Sequence, residues 1–125
     1  MVNVGFHIIA ELYGCPEEKI SWAKSLQKML NKVVQKSKLD QVGESFYQFN
    51  PRGATGIILL ASSHIAVHTW PEYKYVSLDI FSCAGKEKAE HVFELIKKEL
   101  LPHKITYQEF QRGGIEEDAS ARAGT

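Results

Sequence analysis

Two segments of period-two alternation, Ser63 to Thr69 and Tyr75 to Ser82, are joined by only Trp70-Pro71-Glu72-Tyr73-Lys74. Alternation of that period puts successive side chains on opposite faces of an extended chain, and so short a connection folds the two segments into an antiparallel hairpin. Ile65, Val67 and Thr69 point one way, and His64, Ala66 and His68 the other. With the turn centred near Glu72 and Tyr73, the residues Ser77, Asp79, Phe81 and Cys83 join the histidine face. Cys83 then comes near the Ser62-Ser63 end of the hairpin, whereas a slip of one residue would move it to the opposite face.

The rest of the chain builds around this hairpin. Val4 to Tyr13 is rich in apolar residues, ends at Gly14 and reads as a buried strand. Pro16 opens a helix with Glu17 and Glu18 in its first turn, where the helix dipole favours negative charge. Trp22, Leu26, Met29, Leu30, Val33 and Val34 then follow helical spacing, while Lys24, Lys28, Lys32 and Lys36 line another face. Glu44 to Phe49 is a second strand, Asn50-Pro51-Arg52-Gly53 a turn, and Thr55 to Ala61 a central strand. Ala89, Val92, Phe93, Ile96 and Leu100 mark a second helix that Pro102 stops, and Lys104 to Gln111 is the last strand. Residues 113–125, opening at Gly113-Gly114, read as a disordered tail after a single domain over residues 1–112.

The order β-α-β-β-β-β-α-β gives an α+β fold, a two-layer sandwich with two helices on one face of an antiparallel-rich sheet. The sheet's other face has no partner within the chain, and a second copy stacked sheet to sheet would provide one, so a homodimer is expected. Lysine plus arginine and aspartate plus glutamate balance at 15 each, which gives no charge excess for nucleic acid or an anionic membrane. The N-terminal residues lack the basic region and apolar run of a signal peptide, and no segment approaches the roughly 20 apolar residues of a membrane span. A cytoplasmic protein with Cys15 and Cys83 as free thiols is the expectation.

Four readings compete for the hairpin's polar residues. His64 and His68 read most simply as two satisfied sheet histidines. As metal ligands they are poorly spaced, because four residues of strand separate them by about 13 Å, too far to share one zinc; no metal is expected. A hydrolase is disfavoured, since Ser63 lacks a Gly-x-Ser-x-Gly elbow and Cys83 ends a strand rather than starting a helix. The fourth reading is self-cleavage. A serine hydroxyl attacks the preceding carbonyl and converts the peptide bond to an ester. Loss of the α-proton then breaks the ester and leaves a pyruvoyl group, a ketone able to form a Schiff base with an amine and act as an electron sink.

The stretch SHIAVHTWPEY, with SLDIFSC after it, resembles the active-site region of the small prokaryotic pyruvoyl-dependent S-adenosylmethionine decarboxylase proenzymes. GFHIIAELYGC, FYQFNPRGATGI and KITYQEFQRG extend the resemblance over nearly the whole domain. It implies a similar fold, a dimer through the sheets, and decarboxylated S-adenosylmethionine for spermidine and polyamine synthesis as the product. By the same resemblance, Ser63 is the pyruvoyl precursor and cleavage falls between Ser62 and Ser63, giving chains 1–62 and 63–125. His68 takes the α-proton during processing, Thr55 supports processing, and Cys83 returns a proton to the substrate carbon. Phe49, Trp70 and Glu72 match substrate contacts, with aromatic faces suited to adenine and a sulfonium and a carboxylate suited to ribose hydroxyls. Ser62 departs from the glutamate usual before the cleavage serine, although the acyl shift needs only that residue's backbone carbonyl. The rival readings are a pyruvoyl-dependent arginine or ornithine decarboxylase of the same fold, and an unprocessed, non-catalytic homologue.

Overall fold

The structure, a computed structural model, describes residues 1–116. Strand β1 (Val2–Tyr13) is followed by a one-turn helix α1 (Glu17–Ile20), helix α2 (Ala23–Lys36), and strands β2 (Gln41–Gln48), β3 (Ala54–Leu60) and β4 (His64–Trp70). A 3₁₀ turn over Pro71–Tyr73 leads to β5 (Tyr75–Ser82), helix α3 (Lys86–Leu100) and β6 (Lys104–Ile115). The strands form one six-stranded sheet in the order β2-β3-β4-β5-β1-β6, and every pairing is antiparallel.

Alternation decides which face is covered. Phe6, Ile8, Ala10 and Leu12 of β1, Ile65 and Val67 of β4, and Val76, Leu78 and Ile80 of β5 are all buried. They meet Leu26, Leu30, Val33 and Val34 of α2 and Val92, Phe93, Ile96 and Leu100 of α3 in one core. Burying a side chain of this size contributes about 1.5–3 kcal/mol, so this face holds the two layers together. The opposite face leaves Ile57, Leu59, Trp70 and Phe110 exposed. The α+β sandwich with its two long helices on one side is as the sequence pattern predicts. No helix among the described residues is long and apolar enough to cross a membrane.

Two elements differ from the sequence reading. The helix expected from Pro16 onward is interrupted, because Trp22 is extended (φ −121°, ψ 129°) and separates α1 from α2. Tertiary bonds claim the carbonyls at the break. Thr69 Oγ1 donates to Ile20 O at 2.7 Å, and Gly53 N donates to Ser21 O at 2.9 Å, so neither oxygen is left for a continuing helix. The second difference is at the C-terminal end. Gly113 to Ile115 belong to β6 and pair with the start of β1, so the tail does not begin at residue 113. The part of that expectation covering residues 117–125 lies outside the described residues.

Candidate active site

The hairpin register observed is His64 opposite Phe81, Ala66 opposite Asp79 and His68 opposite Ser77. His64, Ala66 and His68 therefore share the open face with Ser77, Asp79 and Phe81, the arrangement expected from the alternation. Ser63 and His68 are separated by five residues of extended chain, which span about 16 Å. The candidate residues accordingly fall into two regions, one at each end of β4.

The first region is the turn from β3 into β4. Ser63 is buried at 9 % exposure. Its carbonyl accepts from Leu60 N at 2.9 Å, and its hydroxyl oxygen accepts from the main-chain N–H of Cys83 at 3.0 Å. Main-chain bonds on both sides hold the serine, and the hydroxyl, used there only as an acceptor, keeps its own proton free for a base. Ser62 is exposed beside it. The chain thus brings Ser63 and Cys83 together, and the Cys83 residue is exposed.

Next to this turn lies a polar group that the sequence reading did not assemble. His7 Nε2 is 2.6 Å from Asp79 Oδ1, and His64 Nε2 is 3.3 Å from the same oxygen. Phe81 packs against both imidazoles, edge-on to His7 and stacked on His64. Its ring lies over Gly5, where a Cβ would come within 2.6 Å of ring carbons; glycine is the residue that admits the ring. The sequence reading put Asp79 on the histidine face, and the pairing of β1 with β5 adds His7 to it. Two imidazoles and a carboxylate resemble a metal set, but Arg112 Nη1 lies 2.9 Å from His7 Nδ1. A guanidinium only donates, so Nδ1 is the acceptor and Nε2 carries the proton that points at Asp79. The group as it stands is a hydrogen-bonded set centred on the Asp79 carboxylate.

The second region is at the far end of β4. Thr55 is the Cα partner of His68, and its hydroxyl lies 3.0 Å from His68 Nδ1, which fixes the ring. A cavity of about 360 Å³ is lined by these two residues together with Phe49, Arg52, Trp70 and Glu72. Trp70 stacks on Tyr75 with ring centroids 5.1 Å apart, and Tyr75 stacks in turn on Tyr13 at 5.5 Å. The Tyr75 hydroxyl donates to Glu11 at 2.5 Å. Burial, aided by the Glu11 carboxylate, pushes that phenol up to about 12. The tryptophan is thus supported from behind, and an uncharged tyrosine does the supporting. Arg52 is tied to Glu17 at 2.8 Å, and the Arg52 cation holds the Glu17 carboxyl below its usual range. A depression of about 390 Å³ lined by Lys19, Lys28 and Lys32 lies on the helical layer, apart from all these groups.

The arrangement keeps two sets of groups in separate places: a held serine hydroxyl at one end of β4, and an imidazole beside an aromatic cavity at the other. Gln48, Thr69, His7 and Arg112 were missed as contributors. Only their cross-strand or cross-layer partners give them meaning, and no local spacing marks them.

The family model described as S-adenosylmethionine decarboxylase matches residues 6–113. The chain is similar to the S-adenosylmethionine decarboxylase proenzyme of Archaeoglobus fulgidus, with 46 % identity over 110 residues, 88 % of this chain and 98 % of that protein. It is also similar to the proenzyme of the same name from Picrophilus torridus, with 42 % identity covering 94 % of this chain and 91 % of that one. Among solved structures, it superposes on the crystal structure of the adenosylmethionine decarboxylase from Aquifex aeolicus with a TM-score of 0.90 and 36 % identity. That match covers 97 % of this chain and 100 % of the other.

Proposed function

Because this chain belongs to the S-adenosylmethionine decarboxylase family, we propose that it is a self-cleaving decarboxylase of S-adenosylmethionine, supplying the decarboxylated product for polyamine synthesis. The observation that carries the reading is the held Ser63 hydroxyl, which accepts from the main-chain N–H of Cys83 at 3.0 Å. Ser63 Oγ attacks the carbonyl of Ser62, and the peptide bond becomes an ester. A base removes the Ser63 α-proton, the Cβ–Oγ bond breaks, and Ser62 leaves as a carboxylate that ends chain 1–62. Hydrolysis of the remaining enamine releases ammonia and leaves a pyruvoyl group blocking the start of chain 63–125. That ketone supplies the electron sink for a substrate amine that loses carbon dioxide.

The buried serine fits this conversion, since attack on the preceding carbonyl needs a side chain held in place. Cys83, whose main-chain N–H reaches the serine and whose residue is exposed, returns a proton to the substrate carbon in this reading. Phe49 and Trp70 face the adenine, and Glu72 accepts from the ribose hydroxyls. Both decarboxylase proenzymes above carry S-adenosylmethionine in their names, and the aromatic cavity suits a nucleoside better than arginine or ornithine.

The base is the step that geometry constrains most. His68 lies about 16 Å along the strand from the Ser63 of its own chain. Two copies related by a two-fold axis, stacked through their open faces with β4 strands crossing in opposite directions, place His68 of one against Ser63 of the other. A homodimer with two composite sites accounts for both the open apolar face and the divided residues. Intact-mass measurement together with carbon dioxide release from S-adenosylmethionine tests the function. Two pieces, 1–62 and a blocked 63–125, with turnover are expected; a single uncleaved chain with no turnover would refute it.

A further inference from the structure

The wall of the aromatic cavity is held by a residue that does not line it. Gln48 is the last residue of β2 and points to the helical side of the sheet, opposite to Tyr47. Its Oε1 accepts from Ala23 N at 2.6 Å, the first N–H of α2. The residue before that helix, Trp22, offers no capping side chain, so Gln48 caps α2 from another element. Its Nε2 lies 3.1 Å from Ser21 O, 3.0 Å from Phe49 O and 3.0 Å from Gly53 O. Two N–H groups are shared among these three carbonyls, so one bond is bifurcated.

The acceptors are the entry and exit of a loop and the break between α1 and α2. Phe49 N donates to Gly53 O at 2.8 Å and closes the loop. Gly53 has φ +104°, and a Cβ there would sit 3.3 Å from both Thr69 O and the Pro71 ring, so the exit is shaped for glycine. Phe49, Asn50, Pro51 and Arg52, carried by this loop, form one side of the cavity. A single amide therefore fastens both feet of the wall to the helical layer.

We propose that Gln48 is a positioning residue for ligand binding, acting through the Phe49–Gly53 loop. The proposal rests on the substrate reading given above. Because Thr55, and not this loop, holds the His68 ring, the prediction separates binding from self-cleavage. Gln48→Ala removes the whole clamp. Gln48→Glu keeps the acceptor for Ala23 N but sets a carboxylate against three carbonyl oxygens.

The test measures intact mass, then kcat and KM for carbon dioxide release from S-adenosylmethionine, in wild type and both variants. Splitting at Ser63 should match wild type, and kcat should stay within about twofold. KM should rise about five- to tenfold in Gln48→Ala and further in Gln48→Glu. An unchanged KM in both variants overturns the proposal. So does a rise in KM accompanied by equal losses of splitting and kcat, or failure of both variants to fold, since Gln48 would then serve the fold as a whole. If wild type itself releases no carbon dioxide from S-adenosylmethionine, the substrate reading is wrong and this inference falls with it.

Discussion

The two ends of β4 are built in opposite ways. At the Ser63 end, reactive atoms are held by the main chain: Leu60 N on the serine carbonyl and Cys83 N on its hydroxyl. At the His68 end, side chains do the work, with Thr55 fixing the imidazole, Tyr75 backing Trp70 and Gln48 tying down the loop. The difference teaches which end tolerates change. Main-chain bonds persist through most substitutions, so the Ser63 end is sensitive to the identity of Ser63 itself. The other end is a wall of separate supports, and removing any one should weaken binding by degrees.

The largest expected effect breaks the first end outright. Ser63→Ala should abolish splitting and turnover, leaving one intact chain of unchanged fold by circular dichroism. Splitting at the same bond in that variant would remove Ser63 from the mechanism. Cys83→Ala follows. Its backbone N–H still holds Ser63, so splitting should persist, while turnover falls about a hundredfold, within the range general acid–base groups contribute. Full turnover by a split Cys83→Ala protein would show that the proton returns from elsewhere.

A smaller effect is expected at the cavity. Phe49→Ala should raise KM about three- to tenfold, the worth of one aromatic contact of about 0.5–1.5 kcal/mol. Splitting should proceed as in wild type, since Thr55 rather than Phe49 holds His68, and slowed splitting would mean that Phe49 also serves the processing step. The mildest comparison is between the two thiols. Cys15 is fully buried, and burial pushes its thiol up to about 11, so at pH 8 it remains protonated and shielded. Alkylation followed by peptide mapping should modify Cys83 in the native protein and Cys15 only after unfolding. Reaction of Cys15 at a rate equal to that of Cys83 would contradict the packing of the β1–α1 corner.

The hairpin's faces were legible in the sequence because period two is a local property, and Cys83 fell beside Ser63 once the turn was placed at Glu72 and Tyr73. The aromatic and histidine members of the cavity were legible too, through the resemblance of FYQFNPRGATGI and SHIAVHTWPEY to a known family. What escaped notice depends on long-range contacts. His7 reaches Asp79 across 72 residues, and Arg112 reaches His7 across 105, with no spacing to announce either. The break before α2 was hidden for the same reason. Trp22 to Val34 has helical periodicity throughout, and the claims of Thr69, Gly53 and Gln48 on the carbonyls of Ile20 and Ser21 and on Ala23 N break the helix. The roughly 16 Å between Ser63 and His68 was implicit in the strand assignment, and it is this separation that calls for a second copy.

The most direct measurement of that central claim mixes two dead chains. Ser63→Ala retains His68 but cannot split, and His68→Ala retains Ser63 but lacks the base. Co-expressed, half of the dimers formed at random are mixed, and each mixed dimer holds one complete site of two. The His68→Ala chain should then split, and decarboxylation should recover to roughly a quarter of the wild-type rate per protomer. Splitting and turnover no greater than the sum of the two variants measured alone would show that Ser63 and His68 do not meet across a two-fold axis.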